Sequence, residues 1–295
     1  GEKGVNAAAA VVKSLDDMLD PEKSYSTVYQ MNHANGQSTV ISTQIAEMLN
    51  TAKQVYDNTG GALDLTIYPL VKMWGFVNNA YYEPAEEDIL AGMERLCFDK
   101  ITMTAYANTG TYSVIMPAEA EITFAACGRG CASAYAIEAM KKAGVESGLV
   151  SMRGNIQTLG KNPDGENWAV AMLNPDRPDD AESFIAVLSV GETAVVSCGN
   201  YEKNHVQPNG TIYSHIMRPT SGYPVTNSLR SVTIVCEDAI LADCLSTAMY
   251  VMGSISALNY WRTYGGFDMI LVNDAKEIVA TSGLIEQITL TNPDY

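Results

Sequence analysis

The chain has 295 residues, about twice a typical domain, and its 47% hydrophobic and 18% charged content excludes a disordered chain and allows a substantial core. Lys plus Arg is 18 and Asp plus Glu is 34, a formal charge of −16, which makes nucleic acid or an anionic membrane surface a poor partner. No apolar run reaches the ~18 residues of a spanning helix, so no membrane-spanning segment is expected, and the composition excludes collagen, coiled coil and disulfide miniprotein.

In chain order, residues 6–19 read as a helix with Val11, Val12, Leu15, Met18 and Leu19 on one face. A polar loop follows, to Asn32. Ser42 is a candidate N-cap for a second helix, in which Ile45, Met48, Leu49, Ala52, Val55 and Tyr56 recur at helical spacing until Asn58-Thr59-Gly60-Gly61 breaks it. Strands are expected at 100–105, 111–116, 121–124, 147–152, 167–173, 184–190 and 193–197, interrupted by a helix at about 131–142. Asn162-Pro163-Asp164-Gly165 and Pro208-Asn209-Gly210 carry turn chemistry. A strand at 231–236 precedes a helix from about Asp238 to Met252, closed by Gly253. A helix at 255–264 and strands near 268–272 and 277–281 complete the reading. Helices and strands interleave without strict βαβ alternation, which favours a mixed, layered α+β domain over a doubly wound sheet. No Pro/Gly/Ser linker divides the chain, so 1–295 reads as one domain. The opening Gly1-Glu2-Lys3-Gly4 shows no signal peptide.

The six cysteines include no CxxC pair and there are only three histidines, which argues against a zinc ribbon or a His-rich metal site. Cysteines as small buried hydrophobes are the simplest reading.

Four stretches can carry chemistry. Thr59-Gly60-Gly61-Ala62-Leu63-Asp64 leads through Tyr68-Pro69-Leu70 to Trp74-Gly75-Phe76. The paired glycines allow a sharp turn and close approach to a ligand, and Asp64 can take a hydroxyl or amine or simply cap the next segment. Cys127-Gly128-Arg129-Gly130-Cys131 lies between a strand and a helix, where glycines beside a cation suit phosphate, though a plain tight turn has the same composition. Asp243 and Thr247 stand i, i+4 on one helix face. A carboxylate and a hydroxyl so placed can give Mg²⁺ two oxygen ligands, or the Thr can bond back to its own helix. His215 precedes a Pro/Gly turn, where a general base can be presented on a loop, and no Gly-x-Ser-x-Gly elbow accompanies it.

In this order and spacing the four stretches resemble the ApbE family of flavin transferases, over about residues 7–285. The most specific pieces are Thr59 to Phe76, Lys161 to Gly165, His215 to Pro224 and Leu241 to Gly253. The resemblance implies an α+β flavin-binding domain, usually exported and often lipid-anchored. It implies that FAD, the substrate, is cleaved with Mg²⁺, FMN passes to a Thr or Ser of an acceptor flavoprotein, and AMP leaves. By position it implies Asp243 and Thr247 as metal ligands completed by a carbonyl near Gly128, and His215 as the base on the acceptor hydroxyl. Gly60, Gly61 and Asp64 fall in the flavin-side loop, and Gly128, Arg129 and Gly130 in a cofactor-binding loop.

The chain departs from the family's Asp-x-Gly-Gly-x-Ala-Lys-Gly-Tyr stretch. Thr123 stands for the Asp, Ala125 and Ala126 for the glycine pair, Arg129 for the Lys and Cys131 for the Tyr. His-Ile-Ile-Asp-Pro becomes His215-Ile216-Met217-Arg218-Pro219, and a Ser-Gly becomes Cys198-Gly199. Methyl groups on former glycines can restrict backbone approach, and Arg keeps the charge of Lys but not its shape. Two alternatives therefore stand beside a working transferase: an impaired flavin- or nucleotide-binding protein, and an FAD pyrophosphatase.

Overall fold

The computed structural model describes all residues except 108, 202–203 and 207–211. The turn expected at Pro208-Asn209-Gly210 lies outside the described residues. The centre is a six-stranded antiparallel sheet of order β13-β12-β11-β8-β5-β4, formed by β4 (Gly148–Met152), β5 (Asn155–Leu159), β8 (Ala194–Gly199), β11 (Leu229–Cys236), β12 (Asp268–Asn273) and β13 (Ile278–Ala280).

Side-chain alternation along these strands builds a separate core on each face. Ala194 and Val196 of β8, Val232 and Ile234 of β11, and Met269 and Leu271 of β12 point into the main core. Their neighbours Val195, Val235, Ile270 and Val272 point the other way, onto the three-stranded sheet of β6 (Trp168–Leu173), β7 (Phe184–Val190) and β14 (Ile288–Leu290). The main core is closed by α1 (Glu2–Leu19), α3 (Thr43–Thr59), α6 (Gly128–Lys142), α7 (Ala239–Met252) and α8 (Ser254–Tyr264). Helix α7 is apolar nearly all round because it is packed on nearly every side, and Asp238 caps its start by accepting from the Ile240 and Leu241 N–H groups at 2.9 and 3.0 Å.

A smaller lobe has its own core around Trp74, Phe76, Leu70, Ile89 and Met217. It comprises α4 (Tyr68–Met73), α5 (Glu86–Met93), and the hairpin of β9 (Asn204–Val206) and β10 (Ile212–Ser214). The remaining elements are the short helix α2 (Thr27–Asn32) and a sheet of β1 (Thr39–Ser42), β3 (Thr111–Ile115) and β2 (Thr102–Ala105). Among the described residues no helix is long and apolar enough to cross a membrane.

The expected α+β layering is observed; β1, α5 and β5 lie outside the expected elements, and three expected segments differ locally. Residues 121–124 form no strand. Their backbone groups are taken by the Asn32 side chain, which bonds Ile122 N–H and C=O at 2.8 and 3.0 Å, and by the Leu65 carbonyl, which accepts from Thr123 N–H. The loop expected before Asn32 contains α2, capped by Ser26 Oγ on the Tyr29 N–H at 2.9 Å. Helix α6 begins at Gly128, not near 131, so Gly128-Arg129-Gly130 is its first turn.

Candidate functional site

Two adjoining cavities open between the lobe, the N-terminal end of α6, the middle of α7 and the six-stranded sheet. The smaller has a volume of about 280 Å³ and the larger about 950 Å³. Thr123, Ala125, Arg129, Ser197 and His215 border both, which makes them one continuous space.

Asp243 and Thr247, one turn apart on α7, both face the smaller cavity, with Ser246 beside them. Asp243 is 4% exposed, and its Oδ2 accepts from the Gly130 backbone N–H at 2.7 Å. The orphan donors at a helix start favour a carboxylate there. This approach requires glycine at 130: a Cβ would lie 2.8 Å from the Asp243 Cβ and strike the Ala239 carbonyl. Thr247 Oγ1 lies 4.0 Å from Cys198 Sγ, which also lines the cavity.

Arg129, in the first turn of α6, reaches both cavities. Its Nη1 donates to the Arg153 carbonyl at 2.7 Å. Arg153 and Gly154 form the two-residue connection between β4 and β5, with φ of 38° and 80°, the left-handed pair that such a hairpin favours. The hairpin tip thereby holds the guanidinium. His215 leaves β10 into the space shared by the cavities. Arg218 borders neither cavity: its backbone N–H donates to Tyr223 and its carbonyl accepts from Gly222, closing the turn behind His215.

Asp64 lines the smaller cavity at 7% exposure and accepts from the Thr66 N–H at 2.7 Å and the Thr66 hydroxyl at 2.5 Å. Burial pushes its carboxyl above the ordinary value, against the lowering effect of the Thr66 bonds. Gly60 and Gly61 border neither cavity. They end α3, with φ of 63° and 86° and a Gly61 N–H donated to the Tyr56 carbonyl, and so turn the chain to bring Ala62–Asp64 to the wall. Gly128 borders the larger cavity alone, and Gly130 neither. The structure thus gathers Asp64, Arg129, His215, Asp243 and Thr247 around the smaller cavity and sets the four glycines behind or beside it.

Ala125 and Ala126, the positions of the changed glycines, both border the smaller cavity, and Ala126 also packs against the main core. The cysteines at changed positions do not meet. Cys127 and Cys131 are fully buried, and Cys198 is the one at the cavity. A hydrogen bond to Cys244, then burial, pushes the Cys127 thiol up, and burial pushes Cys131 to about 12. All six cysteines are free thiols.

Sequence reasoning missed the wall opposite α7. Leu63, Leu65, Ile67, Val71 and Phe76 make it apolar, and the Tyr68 hydroxyl donates to Glu22 across it. The apolar side chains lie within the Thr59–Phe76 stretch, but the Glu22 contact left no local signal, because Glu22 and Tyr68 are 46 residues apart. Lys72 beside them forms an ion pair with Glu121, which also binds Arg95 at 2.7 Å.

Among the described residues no group of three or more His, Cys, Asp and Glu converges as a metal cage. The Asp243 carboxylate and Thr247 hydroxyl form instead an oxygen pair on one wall, the donor chemistry of a hydrated Mg²⁺ that keeps water or phosphate as its other ligands.

The model of the ApbE family matches residues 2–271. The FAD:protein FMN transferase of Klebsiella pneumoniae (strain 342) is 27% identical over 273 residues, 92% of this chain and 83% of that protein. That of Vibrio cholerae is 28% identical over 246 residues, 82% and 71%. Among solved structures, the flavin transferase ApbE from Vibrio cholerae superposes with a TM-score of 0.84 at 23% identity, covering 97% of this chain and 91% of that one. The ApbE protein of Thermotoga maritima does so at 0.83 and 22%, covering 94% and 89%. With its layered fold, its paired cavities and a family match over nearly its whole length, the chain belongs to the ApbE family.

Proposed function

We propose that this chain is a Mg²⁺-dependent FAD:protein FMN transferase that moves FMN from FAD to a Thr or Ser hydroxyl of an acceptor flavoprotein and releases AMP. The observation that carries the reading is the convergence of Asp243, Thr247, Arg129 and His215 on one continuous space. The names of its relatives support the same reaction.

Asp243 and Thr247 would hold the metal, with Gly128 on the adjoining wall as the third position. Bound there, Mg²⁺ supplies charge neutralisation to a pyrophosphate that an acidic protein otherwise repels. Arg129, fixed by the Arg153 carbonyl, binds pyrophosphate oxygens. His215 accepts the proton of the acceptor hydroxyl as its oxygen attacks the FMN-side phosphorus. The bond from that phosphorus to the bridging oxygen breaks, and AMP leaves with the oxygen. Asp64 and the turn made by Gly60 and Gly61 shape the apolar wall on the flavin side. An extracytoplasmic setting belongs to this reading and rests on the family resemblance.

One observation favours a second reading, an impaired binding protein: Ala125 and Ala126 border the smaller cavity at positions where the family resemblance expects glycines. AMP release from FAD, measured with Mg²⁺ and with EDTA, with and without an acceptor domain bearing a Thr, separates the readings. Mg²⁺-dependent AMP together with a flavin-fluorescent acceptor band supports transfer. AMP without a labelled acceptor means a pyrophosphatase. No AMP from folded protein that still binds FAD means the impaired protein.

A further inference from the structure

We propose that the lip of the smaller cavity, made by residues 77–90 and the strands β9 and β10, is the docking surface for the acceptor, and that it selects a segment carrying Lys or Arg beside the hydroxyl residue. This rests on the transferase reading and names the chemistry of its second substrate.

The lip is continuous with the site. Val77 lines the cavity next to Phe76 and is itself 39% exposed. The lip is also held in shape. Gly75, at φ 76°, sits where a side chain would strike the Ala80 carbonyl, so the chain doubles back tightly. Tyr81 then packs inward against Phe76 and stacks on His205 of β9, both with ring centroids 5.3 Å apart. Trp74 meets Tyr213 of β10 edge-on at the same distance. Residues 77–90 and the strands β9 and β10 therefore form one preorganised surface, which lowers the ordering cost of binding.

Its outward side chains are apolar and anionic. Tyr82, Leu90 and Val206 are each more than half exposed. Residues 73–94 contain Glu83, Glu86, Glu87, Asp88 and Glu94 and no Lys or Arg. Glu86, Glu87 and Asp88 also suit the start of α5, but Glu83 lies outside that helix. Burial, and then the Glu83 charge, push the Tyr213 phenol up. An anionic lip repels FAD, whose phosphates bind deeper at Arg129, so its charge has no use toward that substrate. The acceptor must bring its hydroxyl to His215, and a cationic flank complements the lip it crosses.

The test uses two synthetic peptides with a central Thr, one flanked by Lys and one by Glu. Each is incubated with FAD, Mg²⁺ and the whole protein, and peptide labelling and AMP are read in the same tubes. The expected result is a preference for the Lys peptide of about tenfold in kcat/KM, falling as NaCl is raised. Glu83→Lys should invert the preference, with FAD affinity by flavin fluorescence unchanged. Glu83→Gln, which adds no new charge, should reduce it. Equal labelling or preference for the Glu peptide overturns the lip alone, whereas AMP with neither peptide labelled means a pyrophosphatase and overturns the transferase reading and the lip with it. No AMP and no labelling overturns the transferase reading and the lip with it.

Discussion

At the scale of single residues, the site depends on contacts that leave no spare volume. Gly130 lets α6 approach α7 until its N–H meets the Asp243 carboxylate. Gly130→Ala forces a methyl into the Ala239 carbonyl and should cost about 3 kcal/mol, read as a lowered Tm. Asp243→Asn keeps an acceptor for that N–H but weakens the metal pair, so the fold should survive while Mg²⁺-dependent AMP release falls by about a hundredfold or more. Asp64 separates two roles in the same way. Asp64→Ala removes the acceptor of both Thr66 bonds and should cost about 1 kcal/mol, whereas Asp64→Asn keeps an acceptor. Because burial raises the folded-state pKa of Asp64, its protonated form is the favoured one. Its contribution is full below the ordinary carboxyl value and is lost as pH rises through the raised one, so the Tm advantage of Asp64→Asn over wild type should grow across that interval. The Asp243–Thr247 pair was legible in the sequence because i, i+4 spacing needs no tertiary knowledge. The Glu22–Tyr68 bond was not, since nothing local to either residue points to the other.

At the scale of elements, caps and buried faces were legible and polar segments were not. Ser42, Gly60, Asp238 and Gly253 mark helix ends as their chemistry predicts. Helix α5 buries only Ile89 and Gly92, and β5 is a polar stretch inside the central sheet, so neither shows the period of its structure. Residues 121–124 read as a strand because their apolar pattern fits one, but Asn32 and Leu65 satisfy the backbone that a ladder would have used. Glu121, next to Ile122, ties α4 to the segment after α5 through Lys72 and Arg95. Burial would raise its carboxyl, but the two cations hold it below the ordinary value of 4.5. That stabilisation is present above the ordinary value and is lost as pH falls through the lowered one. Glu121→Gln should therefore lower Tm near neutrality and flatten its decline in acid, as melts at stepped pH would show.

At the scale of the whole molecule, the −16 charge was the plainest property of the sequence and bears on both substrates with opposite sign. Added salt screens the repulsion of FAD phosphates, so FAD affinity at fixed Mg²⁺ should improve by about threefold between low and physiological ionic strength, measured by flavin fluorescence. Acceptor turnover should weaken over the same range. The layering was legible because alternation along 193–197, 231–236 and 268–272 exposes two apolar faces on one sheet, which must be covered on both sides. Strand order was not, since pairing depends on contacts far apart in the chain. That order has a consequence during synthesis. Strands β8 and β11 stand at the centre of the sheet, yet β11, and α7, which packs on β11, α3 and α6, emerge only after residue 228. A ribosome that has made three quarters of the chain holds α3 and α6 with their α7-facing sides uncovered, and half a sheet. The nascent protein is then at its stickiest, and assembly must wait for release and proceed slowly through distant contacts. Chaperone dependence and a low yield of truncated fragments are thus written into the strand order.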